Sequence, residues 1–188
     1  MSDESAREAR FRAIYLAYYD EIWCYAMRRL PAKDAEGVVS DVFLVAWRRL
    51  DIVPPSNDVR LWLYTVARNC VANFHRGQAR HRRLIDRLTS SRPGTLAVDD
   101  PQDGTGDAVE VRAALAQLPA HDQEVLRLLF WEQLDQAEAA DVLGITTNAV
   151  AVRAHRARQH LSRKLREQRK ISWHSGHEGA MLEVRNDE

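Results

Sequence analysis

Residues 90–106 divide the chain into two parts, because this segment is rich in Ser, Pro, Gly and Asp and holds few apolar residues. Such a segment cannot bury enough apolar surface to offset the entropy lost on folding. Helical apolar periodicity occupies the sequence on both sides of it. The 188 residues therefore predict an all-α fold of two small helical domains joined by a flexible acidic linker. We place the domains at residues 9–89 and 109–168, the linker at 90–108 and a mobile tail at 169–188.

The first part of the chain predicts three helices, because apolar residues recur there at steps of three and four. A break at Leu30-Pro31 separates the first two helices, and a Pro54-Pro55 turn signal precedes the third. The apolar stripes are Phe11, Ile14, Tyr15, Tyr18 and Ile22, then Val38, Val39, Val42, Phe43, Ala46 and Trp47, then Leu63, Val66, Ala67, Cys70, Val71 and Phe74. Another face of the third helix carries arginines at helical spacing, so this helix combines a core stripe with a basic ridge.

The charge of the chain sums to zero, with 27 basic and 27 acidic side chains. Taken alone, this total argues against a nucleic-acid binder. By segment, however, residues 60–92 hold eight arginines and one acid, residues 93–124 hold seven acids and one base, and residues 151–170 hold eight bases and one acid. Two basic blocks flank an acidic one, which indicates contact with a polyanion at two places, although two solvated helix faces would also fit.

A helix-turn-helix pattern follows in the second part. Asp135 and Glu138 have the spacing of a capping box, Gly144 supplies a turn residue that tolerates positive φ, and Thr146 is the predicted N-cap of the next helix. With Val150 as the buried direction, a rotation of about 100° per residue places one set of side chains on the opposite, major-groove side. This set contains Asn148, Val152, His155 and Gln159, with Arg156 and Arg163 beside it. Asn and Arg can pair with adenine and guanine edges, Val152 can meet a thymine methyl group, and the flanking Arg153 and Arg158 suit phosphate.

Other functional classes have little support in the sequence. Cys24 and Cys70 stand apart without metal-ligand spacing, so we expect a reduced, cytoplasmic protein without cofactor or metal. No apolar window is long enough for a membrane span, so no stable membrane insertion is expected. There is no phosphate-binding loop or nucleophile motif, and His174 and His177 form a lone HxxH that we interpret as solvated. The chain is therefore not expected to be an enzyme.

Three segments together resemble the extracytoplasmic-function (ECF) group of bacterial sigma-70-family factors. They are Asp34-Ala35-Glu36 with the run from Val42 to Trp47, then Trp62-Leu63-Tyr64 with Ala67-Arg68-Asn69, then Leu118-Pro119 with Glu124-Val125-Leu126 and the run from Arg153 to Arg158. The resemblance covers about residues 9–168. It implies an alternative sigma factor that binds core RNA polymerase and directs promoter recognition, promoter opening and transcription initiation.

The resemblance also implies residue roles. The polymerase-binding positions are Asp41, Val42, Phe43 and Leu44. The positions near the minus-ten element, where the duplex is opened, are Asn57, Arg60, Trp62, Tyr64, Arg68, Asn69, Asn73, Arg76 and Arg80. The positions that read the upstream, minus-thirty-five element are Thr146, Thr147, Asn148, Val152, Arg153, His155, Arg156, Arg158 and Gln159. Opened bases are held by stacking and the strand backbone by arginines, although Trp62 also fits a core position.

The resemblance further implies an anti-sigma partner that covers these surfaces, and no motif identifies it. Members of the group often have Lys or Arg followed by Ser where this chain has Ala151-Val152, so the promoter sequence stays open. A second hypothesis is a stand-alone helix-turn-helix repressor or activator whose first domain senses a ligand. Such a protein would dimerise and bind its operator alone, whereas a sigma factor would need core polymerase.

Overall fold

The computed structural model describes residues 3–55, 58–89 and 106–183, with side chains over 4–55, 58–88 and 109–167. These residues form helices and no strand, which confirms the all-α prediction for the described part of the chain. Two compact units are present. The first contains α1 (Asp3–Met27), α2 (Ala32–Arg48), a short 3-10 helix (Leu50–Ile52) and α3 (Val59–Thr89). The second contains α4 (Gly106–Ala116), α5 (Ala120–Phe130), most of α6 (Gln136–Leu143) and α7 (Thr147–Glu183).

In the first unit the three long helices pack against one another around an apolar core. Pro31 precedes α2, and its carbonyl oxygen accepts hydrogen bonds from the amides of Asp34 and Ala35. Proline suits this place because its missing N–H would have no partner inside the helix. The largest fully buried side chains of this unit are Ile22, Tyr25, Leu30, Val39, Val42, Leu50 and Leu63.

In the second unit, α4 and α5 both pack against α7. Pro119 precedes α5 as Pro31 precedes α2, and the break predicted at Leu30-Pro31 coincides with a helix start. Leu115, Leu118 and Leu126 form a small core with Ala157 of α7, and Leu161 packs against it. The helix that carries the predicted DNA-reading face is therefore held by α4 and α5 through a few aliphatic side chains.

Helix α7 continues to Glu183, beyond Ile171, where the apolar period in the sequence ends. The backbone of residues 171–183 is thus helical without an apolar stripe to predict it. The mobility of the tail and the exact domain boundaries stay predictions. Residues 90–105, which make up most of the proposed linker, lie outside the described residues.

Candidate nucleic-acid interface

The turn between α6 and α7 has the local structure that its sequence predicts. The amides of Ala137 and Glu138 donate to Oδ1 of Asp135 at 2.7 and 2.8 Å, and Oε2 of Glu138 accepts from the amide of Asp135 at 2.8 Å. These three bonds satisfy helix-start amides that lack partners within the helix. Gly144 follows with φ of +66°, a conformation that L side chains rarely adopt. The capping box and the positive-φ turn are both confirmed.

The first turns of α7 show a clear division between buried and exposed sides. Thr146 caps the helix, since its Oγ1 accepts a hydrogen bond from the amide of Ala149 at 3.2 Å. Val150, Ala154 and Ala157 are fully buried. The exposed side chains are Thr147, Asn148, Val152, His155, Arg156, Arg158 and Gln159. Thr146 is exposed as well, and Arg153 is half-buried at the edge of the face.

This face suits base reading because it combines hydrogen-bonding groups with one apolar side chain. Val152 exposes 42% of its surface in the middle of the polar face. One turn further on, Nε2 of His155 lies 3.0 Å from Nε2 of Gln159. His155 and Gln159 line a concavity along α7, which continues to Ser162 and Arg166. The sequence analysis did not include these two positions. Both lie at helical spacing from His155 and Gln159, and that spacing is the signal that would have found them.

A polar contact between α5 and α7 was also missed. Asp122 is buried in the first turn of α5, and its Oδ2 lies 3.0 Å from Nδ1 of His160 in α7. Its Oδ1 lies 3.2 Å from Nε2 of His121. No sequence motif predicts a contact between residues 38 positions apart.

The basic ridge of α3 is exposed along the second half of that helix. Asn69, Asn73, Arg76 and Arg80 are all exposed, and Arg68 is half-buried. A guanidinium nitrogen of Arg76 donates to Oδ1 of Asn73 one turn earlier. These predicted minus-ten residues therefore share one accessible helix surface. Asn57 lies outside the described residues.

At the start of α3 the structure corrects the expectation for Tyr64. Only 2% of Tyr64 is exposed, and its hydroxyl donates to Oε2 of Glu21 in α1 at 3.1 Å. Nε of Arg60 donates to the same carboxylate oxygen at 2.9 Å. Tyr64 is thus a core residue, because its ring packs between α1 and α3 beside Tyr25 at 5.4 Å between centroids. Trp62 is half-buried, so its exposure does not decide between a base-stacking position and a core position.

Glu21 also shifts the acid–base behaviour of Arg60. Burial lowers the pKa of Arg60, but hydrogen bonds to Glu21 and Tyr64 and the charge of Glu21 outweigh burial and raise it. The guanidinium keeps its charge in this setting. Glu21 and Tyr64 therefore act together to hold a charged Arg60 at the first turn of α3.

The predicted polymerase-binding positions on α2 divide into two exposed and two buried residues. Asp41 is exposed, and Leu44 exposes 44% of its surface. Val42 is fully buried and Phe43 is 4% exposed, with the Phe43 ring 4.7 Å from that of Tyr15. Val42 and Phe43 lie on the apolar stripe that packs α2 into the core, so their side chains are not accessible. Asp41 and Leu44 are the accessible members of this set.

Cys70 of α3 is a partly buried thiol. Burial, with a smaller contribution from Asp41, raises the pKa of Cys70 to about 11. Its thiol is therefore protonated at neutral pH and a poor nucleophile. Over the described residues, no three His, Cys, Asp or Glu side chains group as metal ligands would, and no helix is long and apolar enough to cross a membrane.

Comparison with known protein families gives one match in each of the two units. The family model described as Sigma-70 region 2 matches residues 14–81, and the one described as Sigma-70, region 4 matches residues 108–161. The ECF RNA polymerase sigma factor SigL of Mycobacterium tuberculosis is 31% identical over 165 residues, which cover 87% of this chain and 93% of SigL. The chain belongs to the ECF group of sigma-70 factors.

Further relatives agree with this assignment. The sigma factor CnrH of Cupriavidus metallidurans is 32% identical over 147 residues, which cover 71% of this sigma factor and 74% of CnrH. The solved structure of CnrH in complex with the cytosolic domain of CnrY matches at 28% identity and a TM-score of 0.61, covering 84% of this chain and 88% of that one. The sigma factor RpoE in complex with the anti-sigma factor NepR, from Bartonella quintana, matches in fold with a TM-score of 0.66 at 23% identity, over 83% and 96% of the two chains.

Proposed function

We propose that the two helical units of this sigma factor divide promoter recognition between them. As an alternative sigma factor, the chain directs promoter recognition and transcription initiation by RNA polymerase. The single observation that carries the division is the two-sided surface of α7, where fully buried Val150, Ala154 and Ala157 alternate with exposed hydrogen-bonding side chains. An exposed face of this kind, after a capped turn with positive φ at Gly144, is the arrangement in which a helix enters a major groove.

In this proposal α7 reads the upstream element. Asn148 and Arg156 can each form two hydrogen bonds to a purine edge, and Val152 can contact a thymine methyl group. Arg153 and Arg158 lie to the sides, where they suit phosphate contacts that fix register without reading sequence. Each well-formed base contact contributes about 1–3 kcal/mol of discrimination against the wrong base.

In the first unit, the exposed ridge of α3 would hold the opened minus-ten region. The exposed Arg76, Arg80 and Asn73 would follow a strand backbone, and the half-buried Trp62 would stack on a base. Arg60 stands at the start of the same helix, held by Glu21. Tyr64 supports this arrangement from the core through its bond to Glu21.

Core polymerase would contact α2 through Asp41 and Leu44, the two exposed members of the predicted set. Val42 and Phe43 would act indirectly, by fixing α2 in the core. An exposed acid beside an exposed leucine supplies a directional polar contact next to a small apolar one, as interfaces require.

We further propose an anti-sigma partner, because CnrH and RpoE, which this chain resembles, were each solved in complex with a partner, CnrY and the anti-sigma factor NepR. Sigma factors are transcription regulators and not known enzymes, and we propose that this chain has no catalytic activity of its own. Its place of action would be the cytoplasm, where core polymerase and promoter DNA are found.

The test is transcription in vitro with core polymerase on a genomic DNA library, followed by mapping of start sites. The wild-type chain is expected to give discrete starts that share an upstream element at constant spacing. Arg156→Ala should weaken starts that depend on this element, whereas Arg12→Ala, at an exposed arginine of α1, should not. No initiation, combined with discrete DNA binding by the free protein, would favour the repressor hypothesis instead.

A further inference from the structure

A buried carboxylate joins α5 to α7. Asp122 is 3% exposed, and its Oδ2 lies 3.0 Å from Nδ1 of His160. A carboxylate oxygen accepts hydrogen bonds, so in a bond between these two atoms Nδ1 of His160 is the donor. The contact therefore has a defined direction and length between two helices that are far apart in the sequence.

The apolar part of the same interface includes Ala157 of α7, whose methyl group adds little to fix the position of α7 along its own axis. Leu126 of α5 packs in one cluster with Ala157 and Leu161 of α7. The buried positions of α7 before them are Val150 and Ala154. Alanines let two helices approach closely, but they provide short ridges, and ridges set how helices interlock. A directional hydrogen bond can supply the register that these small side chains leave weakly specified.

The Asp122–His160 bond lies at the right place to do so. Asp122 is one turn before Leu126 on α5, and His160 is nearly one turn beyond Ala157 on α7. The bond thus extends the apolar contact by one turn. Gln159, which belongs to the DNA-reading face, is the neighbour of His160 in the chain, and Arg156 is one turn earlier. Any slide or rotation of α7 at His160 moves both of these side chains.

We infer that Asp122 and His160 are positioning residues that fix α7 on α5 and thereby set how strongly the upstream element is discriminated. The inference rests on the proposed role of α7 and names two residues that do not themselves read bases. Binding constellations need side chains held within about 0.5 Å of the productive geometry. A loosened α7 is therefore expected to lose discrimination before it loses its fold.

The experiment measures one ratio: transcription by reconstituted polymerase from a promoter with its upstream element intact, divided by transcription from the same promoter with that element scrambled. His160→Gln moves the donor and should lower the ratio about tenfold, the loss of roughly one base contact. His160→Asn should retain the wild-type ratio, because the Asn amide nitrogen can take the place of Nδ1. His121→Gln is the matched control, since His121 contacts the same carboxylate from within α5.

A double variant distinguishes the proposed positioning role of His160 from a direct contact of His160 with DNA. In the Asp122→Ala background, which has no acceptor for His160, His160→Gln should add no further loss, because the two residues act through one bond. An equal additional loss would show that His160 acts alone and would overturn the inference. A wild-type ratio for His160→Gln, or a low ratio for His160→Asn with native helicity by circular dichroism, would also overturn it. If the wild-type protein itself gave a ratio of one, the proposed reading of the upstream element by α7 would be refuted instead.

Discussion

Gly144 offers a sharp test of the turn that presents α7. Its φ of +66° costs a residue with a Cβ atom roughly 1–2 kcal/mol. Apart from Gly144 itself and its two chain neighbours, nothing lies within 4 Å of the place where a Cβ would stand, so Gly144→Ala adds strain without a clash. Alanine also lowers the entropy of the unfolded chain, which returns about 0.4–1 kcal/mol. We therefore expect Gly144→Ala to destabilise the turn by about 1 kcal/mol.

The chain contains two matched controls for the same substitution. Gly37 in α2 and Gly77 in α3 have ordinary helical φ, and open space surrounds the position that an added methyl group would take. Alanine there should stabilise by about 0.5–1 kcal/mol, because helical glycine loses more entropy on folding. Because the expected change in stability has the opposite sign in these controls, they distinguish the backbone strain at Gly144 from a general effect of adding a methyl group.

Hydrogen–deuterium exchange followed by peptide is the suitable assay, because it reports local opening in each unit of the intact protein. Gly144→Ala should speed exchange in α6 and the start of α7 about fivefold, while the two control variants slow exchange in α2 or α3. Unchanged or slower exchange around α6 in Gly144→Ala would refute the argument from backbone conformation.

Three further outcomes are expected. Phe43→Ala should lower the free energy of unfolding by about 3–5 kcal/mol in urea denaturation, whereas Leu44→Ala should leave it nearly unchanged and weaken binding to core polymerase in a pull-down; the reverse pattern would contradict the burial argument. Asp135→Ala should destabilise α6 by about 1 kcal/mol through loss of the capping box, seen as faster exchange there, and equal exchange would argue against the cap. Iodoacetamide at pH 8 should label exposed Cys24 well before Cys70, whose pKa is raised to about 11, and equal labelling rates would refute the burial of the Cys70 thiol. Because a raised folded-state pKa favours the protonated thiol, the contribution of Cys70 to the free energy of unfolding should be complete below pH 9 and fall between about pH 9 and 11.

Local patterns in the sequence were enough to predict the reading face of α7. The cap at Thr146, the positive φ of Gly144 and the buried series from Val150 to Ala157 all depend on residues within a few positions of one another. Helical periodicity converts such patterns into directions, and the structure confirms the directions. The Asp122–His160 contact depends on how α5 packs on α7, and no local pattern contains that information.

Family resemblance assigns roles to residues, whereas periodicity predicts which of those residues are buried. A motif identifies a position in the chain, but it does not state which side of the helix that position faces. Val42 and Phe43 belong to the apolar stripe of α2, and this stripe already indicated that they are core residues. Tyr64 follows Leu63 on the buried side of α3 and leads to Ala67, which is also buried. For Val42 and Phe43 the helical period predicted burial correctly, whereas Tyr64 was not part of the stripe predicted for α3.

The net charge of zero can now be interpreted through the position of the charges. Basic side chains are concentrated on the exposed ridge of α3 and the exposed face of α7, whereas seven of the 27 acids fall in residues 93–124. Beyond a Debye length of about 8 Å at physiological salt, a neutral molecule exerts little attraction on DNA. Within that distance, the arginines of each surface still attract phosphate. The free chain should therefore bind DNA weakly, because non-specific affinity comes largely from neutralised phosphates. When core polymerase holds both units on one promoter, the second contact forms at a raised effective concentration, and two weak surfaces together can give specific binding.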